Sequence, residues 1–404
     1  METQYKVYKY RWVILAAIVP IIICTEMFWL TLAPIASLAG SYYKVGSMEI
    51  SLFSASYMIM YILFTLPASW VIDKYGYRPS LIIGALITAV FGILRVIFAD
   101  NFSAVIIFQF VIAIGQPFLL NISTKVPANW FPVYERAIAS GILTMAQYLG
   151  FVVAMVLSPI LADNYGIPTV YGVYGVIACI CAFAAILFTK ERPAVPSGPE
   201  AEKEDISIKS MVKLFKNHNF IYVLVIVFIS MGIFNTLLTL IENILKPRGM
   251  TMDQAGIVGA VFVVAGVIGA VLLPILSDKI RRRTPLFVIA ITLLVPLYLG
   301  MTYISDFTAI AIVAGIAGFT VMGVAPILFQ HGAEVAYPVK EGTSFGLILL
   351  MGQISGALFV VVFEAVSGAT GSATIPMLLL VVLTAIEIPF TLKMKESSIM
   401  KQRE

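Results

Sequence analysis

Glu26 and Trp29 stand three residues apart in the apolar stretch RWVILAAIVPIIICTEMFWL, so on a helix they share nearly one face, a turn apart. An indole ring offers an electron-rich face to a cation, and a carboxylate beside it either balances that charge or holds a proton that is transported. Three amides, Gln147, Asn235 and Gln353, lie in equally apolar surroundings. Amides donate and accept hydrogen bonds, which suits them to orient a hydroxyl or an amine. A charge inside a bilayer costs about 2.5–3.5 kcal/mol even on lenient scales, so such residues count first as functional. The competing reading of the amides is that they bridge helices, at about 0.6 kcal/mol each. Glu242, two helical turns beyond Asn235, is a second candidate for proton or cation coupling, and Glu364 and Glu387 are similarly placed. Arg95 is expected to pair or to snorkel. No nucleophile with its base, metal-ligand spacing or phosphate loop occurs, so neither an enzyme nor a cofactor is expected.

What must position these residues is a set of membrane helices. Hydrophobic residues make up 60% of the 404 and charged residues 12%, far from an ordinary soluble composition. About 20 apolar residues cross a bilayer. Twelve such runs are legible, at 11–38, 49–71, 80–99, 103–124, 137–161, 168–189, 219–244, 254–276, 285–303, 307–330, 342–366 and 372–393. They lack the period-two alternation of membrane barrels, which predicts an all-α membrane protein. The first run has no small-residue cleavage site and reads as a retained helix. Of the 26 Lys and Arg, all but Lys44, Arg95, Lys246 and Arg248 fall on one side if both termini are cytoplasmic, as the positive-inside rule asks. The location expected is the cell inner (plasma) membrane. The net charge of +4 then describes topology and not nucleic-acid binding. Cys24, Cys179 and Cys181 all lie in apolar runs and read as small packing residues.

The one long hydrophilic break, 190–218, divides the chain into an N-terminal half, 1–189, and a C-terminal half, 219–404, of six helices each. The halves repeat. ASWVIDKYGYRPSL follows the second helix and LPILSDKIRRRTPL the eighth, pairing Asp73 with Asp278, Lys74 with Lys279 and Arg78 with Arg283 at one offset of 205 residues. FPVYERAIASGILTMAQYLG and YPVKEGTSFGLILLMGQISG pair Pro132 with Pro338, Glu135 with Glu341, Gln147 with Gln353 and Gly150 with Gly356 at 206. The same 206 carries Trp29 to Asn235. At 1.5 Å per residue Gln147 and Gln353 lie roughly 16–18 Å into a core of about 30 Å. Two six-helix repeats with paired charged loops resemble the major facilitator superfamily, and the resemblance implies a substrate site near the midplane between the halves. Asp73, Arg78, Asp278 and Arg283 are then expected to act in gating, by charge-assisted bonds to helix ends that break and reform. Simple positive-inside anchoring is the alternative for the arginines, though not for the paired aspartates.

Within that superfamily the segments around Trp29, YMIMYILFTLPASWVIDKYGYR, GQPFLLNISTKVPANWFPVYER and FQHGAEVAYPVKEGTSFG with GQISG are similar to the feline leukaemia virus subgroup C receptor-related transporters, associated with choline, ethanolamine and haem. The resemblance implies that Trp29 and Gln353 surround an ammonium and a hydroxyl. It departs at Asn235, where that family has a tyrosine, and at Glu26, where it has a small polar residue. An ungapped reading puts Tyr148, not Gln147, at the family's glutamine. The expected function is therefore alternating-access transport of a small amine or quaternary ammonium, as a symporter or uniporter, by a monomer in contact with lipid and exchanging a proton if coupled. A proton-coupled exporter of organic acids or drugs is the alternative. A haem transporter is a further one, although His218 and His331, the two histidines, both fall at cytoplasmic positions away from Trp29.

Overall fold

Among the described residues are twelve apolar helices long enough to cross a membrane: α1 (Tyr10–Tyr43), α2 (Ser47–Tyr75), α3 (Tyr77–Ile97), α4 (Phe102–Trp130), α5 (Val133–Tyr165), α6 (Ile167–Phe188), α7 (His218–Thr239), α8 (Met252–Ile280), α9 (Thr284–Tyr303), α10 (Phe307–Ala336), α11 (Ser344–Thr370) and α12 (Thr374–Lys393). The computed structural model describes residues 5–197, 214–280, 282–337, 339 and 341–396, and no strand occurs among them. The middle of the 190–218 linker, Arg281 and Pro338 lie outside the described residues.

Several helices outrun the apolar stretches that announced them. α2, α5, α8 and α10 have 29 to 33 residues, about 43–50 Å at 1.5 Å each against a hydrocarbon core of about 30 Å. Nothing in the backbone stops α2 where its apolar run ends, so it continues through the exposed Asp73 and Lys74 until Gly76 turns the chain at φ +97°. Gly166 closes α5 in the same way, at φ +82°.

Two helices are interrupted. α1 is regular from Tyr10 to Trp29, unwinds, passes through a 3-10 turn at Ala33–Ile35 and resumes at Ala36–Tyr43. Pro34 is the cause, since it has no N–H for the carbonyl of Leu30, which accepts from Ala33 instead at 3.2 Å. α4 breaks at Asn121, between Phe102–Leu120 and Ile122–Trp130. Past Thr239, α7 gives way at Leu240 to a separate turn of helix, Ile241–Leu245.

The described chain forms two units, Met1–Glu202 and Lys203–Glu404. In the first, α1 packs on α5, α2 on α4, and α3 on both α4 and α6; in the second, α7 packs on α11, α8 on α10, and α9 on both α10 and α12. Each pairing recurs six helices later, which is the structural form of the sequence repeat. Small residues set the closest approaches. A Cβ at Gly269 would strike the carbonyl of Phe319, and one at Gly318 the carbonyl of Phe262, so α8 and α10 meet backbone to backbone. Large apolar side chains such as Leu63, Ile107, Phe183, Ile289 and Leu392 are exposed along the helices, as a lipid environment requires.

Candidate functional site

The break in α1 leaves Trp29 as the last residue of a regular helix, with backbone carbonyls that have lost their helical partners. Side chains supply replacements. Thr31 donates its hydroxyl to the carbonyls of Met27 and Phe28, at 3.0 Å each. Gln109 of α4 donates its amide to Phe28 O at 2.9 Å and to Phe53 O at 3.3 Å, and Ser54 of α2 donates to Trp29 O at 3.1 Å. The indole, 5% exposed, stacks on Tyr57 with centroids 6.3 Å apart and planes 10° from parallel. Phe151 of α5 meets it edge-on at 5.1 Å, and Tyr148 meets Phe151 at 6.1 Å. Nε1 of Trp29 is buried without a hydrogen-bond partner among the described residues.

Glu26 is fully buried one turn below. Its Oε1 accepts from Gln116 Nε2 of α4 at 3.0 Å, while Oε2 has no hydrogen-bond partner among the described residues. Gly150 makes room for it: a Cβ there would lie 2.6 Å from both the Cβ of Glu26 and the carbonyl oxygen of Ile23. Thus α1, α2, α4 and α5 bring an indole, two further rings, a carboxylate and an amide together. Chemically, such a set can hold a positive charge against ring faces and neutralise it with the free carboxylate oxygen.

The other sequence-derived residues take different places. Gln147, four positions before Phe151, is half-buried and makes no hydrogen bond among the described residues, so α5 reaches Trp29 through Phe151 and Tyr148 instead. In the C-terminal half Asn235 is buried and donates to Gly352 O at 3.5 Å, one residue before the half-buried Gln353, so the counterparts of Trp29 and Gln147 lie along one seam between α7 and α11. Glu242 is buried too, but the interruption at Leu240 ends the helical periodicity that would have carried it onto the face of Asn235. Glu387 accepts from Ser230 at 2.8 Å, and Glu364 from Asn243 at 2.8 Å. Arg95 neither pairs with a carboxylate nor snorkels. It is wholly buried, hydrogen-bonds the amide oxygen of Gln109, and lies 4.7 Å from the ring centre of Phe28 and 4.3 Å from that of Tyr171.

At the loops read as gates, Asp73 and Asp278 are exposed, and the helix-end bonds are made by other carboxylates. Glu191, just past α6, accepts from the backbone N–H of Tyr77 at 3.1 Å and of Arg78 at 2.8 Å, at the start of α3. Glu396, just past α12, accepts from the backbone N–H of Arg283 at 2.8 Å and of Thr284 at 2.7 Å, at the start of α9. Both positions favour a negative charge on a helix N-terminus. The Arg283 side chain pairs with Glu334 at 2.7 Å, both nearly buried, whereas Arg78 reaches only the carbonyl of Ile186, at 3.4 Å. Glu191 and Glu396 escaped the sequence reading although they stand 205 residues apart, each after a lysine, at the spacing of the neighbouring repeat.

A family model described as the Major Facilitator Superfamily matches residues 18–360. Solute carrier family 49 member A3 of Xenopus tropicalis is 27% identical over 383 residues, covering 90% of this chain and 79% of that protein. Choline/ethanolamine transporter FLVCR2 of Homo sapiens is 25% identical over 381 residues, covering 88% and 72%. Among solved structures, a bacterial homolog of the human lysosomal transporter Spinster is similar with a TM-score of 0.76 over 96% of this chain and 97% of that one, at 17% identity. A D-xylose-proton symporter gives 0.74 over 97% and 99%, at 13% identity. At those identities the solved structures speak for the fold alone.

Proposed function

Because the chain belongs to the Major Facilitator Superfamily, and so is a multi-pass membrane transporter and not an enzyme, we propose that it carries a choline- or ethanolamine-like cation by alternating access. One observation carries the reading: Trp29, flanked by Tyr57 and Phe151, stands a turn from Glu26, whose second carboxylate oxygen is buried without a hydrogen-bond partner among the described residues. Ring faces without a carboxylate would suit any apolar solute, and a carboxylate without rings would suit a metal ion or a proton. Together they fit an ammonium. The name of the FLVCR2 relative supports the same substrate class.

In this reading Tyr148, Gln147, Asn235 and Gln353 supply further substrate contacts, and Glu26, with Glu242, serves charge balance or proton coupling. Residues 1–189 and 219–404 act as the two repeats, joined by a cytoplasmic linker at 190–218, with both termini in the cytoplasm of a plasma-membrane monomer. Arg78 and Arg283, beside Asp73 and Asp278, belong to the gates. The test is uptake of labelled choline, ethanolamine and a small organic acid by proteoliposomes holding the full chain. Saturable uptake of an amine, competed by the other amine and not by the acid, is expected; uptake of the acid alone overturns the reading.

A further inference from the structure

Gln109 holds the helix end on which Trp29 sits, through the carbonyl of Phe28. Its two ends are chemically assigned. A guanidinium has only donors, so the atom facing Arg95 must be the amide oxygen, and the amide nitrogen must face the carbonyls of Phe28 and Phe53. Without that donor the amide is free to turn, and its oxygen would then oppose Phe28 O. Arg95 is itself held by Phe28 and Tyr171 on its faces, while its Nε and Nη2 remain buried without partners. A wholly buried cation with two nitrogens unsatisfied among the described residues is poor packing for stability alone.

We propose that Arg95, acting through Gln109, is a positioning residue that fixes the broken end of α1 and thereby the orientation of Trp29 for its cation. The chain of contacts runs from the guanidinium to the amide, from the amide to Phe28 O and Phe53 O, and from that helix end to the adjacent indole. This rests on the cation reading for its consequence in transport, though not for its consequence at Trp29 itself.

Gln109→Glu separates positioning from simple charge burial. The new carboxylate gives Arg95 a counter-ion but has no N–H for the two carbonyls, and instead repels them. If Arg95 were merely a buried charge, this variant would match or exceed the wild type in thermal stability and keep the properties of Trp29 and of transport. Positioning predicts altered Trp29 whatever the net stability, since the gained ion pair is offset by the two lost hydrogen bonds. The emission of Trp29, obtained by subtracting that of Trp29→Phe, and its quenching by acrylamide need no substrate. Both should change in Gln109→Glu and in Arg95→Lys, whose single ammonium cannot meet two rings and the amide oxygen at once. Choline binding, measured by titration, should weaken up to about tenfold, as loss of a neutral hydrogen bond implies. Wild-type Trp29 emission and quenching in Gln109→Glu overturn the proposal whether or not choline is the substrate. Altered emission in Gln109→Glu, together with a wild type that binds no amine, sustains the positioning and overturns the cation reading alone. Should Arg95→Lys fail to fold, Gln109→Glu, which keeps the side-chain volume and gives Arg95 a counter-ion, decides.

Discussion

Replacing Gly76 with alanine should loosen the start of α3 by an amount that the structure lets one work out in two parts. The backbone there has φ +97° and ψ 174°, a region essentially reserved for glycine, where a side chain costs about 1–3 kcal/mol. The added Cβ would also run into the carboxylate of Glu191 and push it off the N–H groups of Tyr77 and Arg78. Loss of an N-terminal cap costs about 0.5–2 kcal/mol. Together these centre on about 3 kcal/mol, or roughly a hundredfold in the opening equilibrium of that helix end. Hydrogen exchange of the Tyr77 and Arg78 amides reads it directly. Glu191→Ala should reproduce only the cap share, and the double variant should fall short of the two single effects added by that share, because both remove the same bonds. Strict additivity, or exchange unchanged in Gly76→Ala, would refute the account of Glu191 as the cap of α3.

Trp29→Ala should weaken binding of a permanent cation by about 0.5–2 kcal/mol and Trp29→Phe by less, seen by calorimetric titration; equal affinity for the alanine variant removes the aromatic wall. Glu26→Gln should abolish stimulation of uptake by a pH gradient while sparing exchange at equal pH if Glu26 carries a coupled proton. If it is the counter-ion, affinity for a quaternary amine falls at every pH, and a variant like wild type in both assays takes Glu26 out of the mechanism. Gln147→Ala and Gln353→Ala should impair transport while leaving the yield of folded protein intact, whereas loss of folded protein marks them as helix bridges. Arg283→Ala removes the nearly buried ion pair with Glu334 and should lower stability by about 1.5–3 kcal/mol, read from thermal unfolding; an unchanged midpoint means that the ion pair contributes nothing.

The twelve spans were legible because a bilayer demands long apolar runs and punishes anything else. Their ends were not, since a helix such as α2 continues into water for as long as its backbone permits, and no apolar signal marks that continuation. Pro34 was visible but its effect was hidden, because α1 stays apolar across the break and borrowed side-chain donors make the unwound turn tolerable. Glu26 and Trp29 could be singled out from local spacing alone. Gln116, Tyr57 and Phe151 could not, for they come from three other helices and look like ordinary residues of their own segments. Arg95 was misjudged for the same reason: its rings belong to α1 and α6, and no rule of spacing within α3 points to them. The loop repeat was read at Asp73 and Asp278, while Glu191 and Glu396, at the same spacing, were overlooked because each sits past the end of a helix.

The backbone-to-backbone contact between α8 and α10 bears on how the protein is made. The chain emerges from the ribosome in order, so α8 enters the bilayer while its partner is still being translated. From Ile280 to Ala336, at about 5–20 residues per second, that interval is roughly 3–11 s. For those seconds the glycine-lined face of α8 awaits α10 against lipid or the insertion machinery, and α9, which arrives first, packs mainly on α10 and α12. A bulky residue at Gly269 or Gly318 would therefore act late, at the closing of a groove that has already been inserted. Its signature would be a membrane-integrated but protease-sensitive C-terminal half, with insertion itself unaffected.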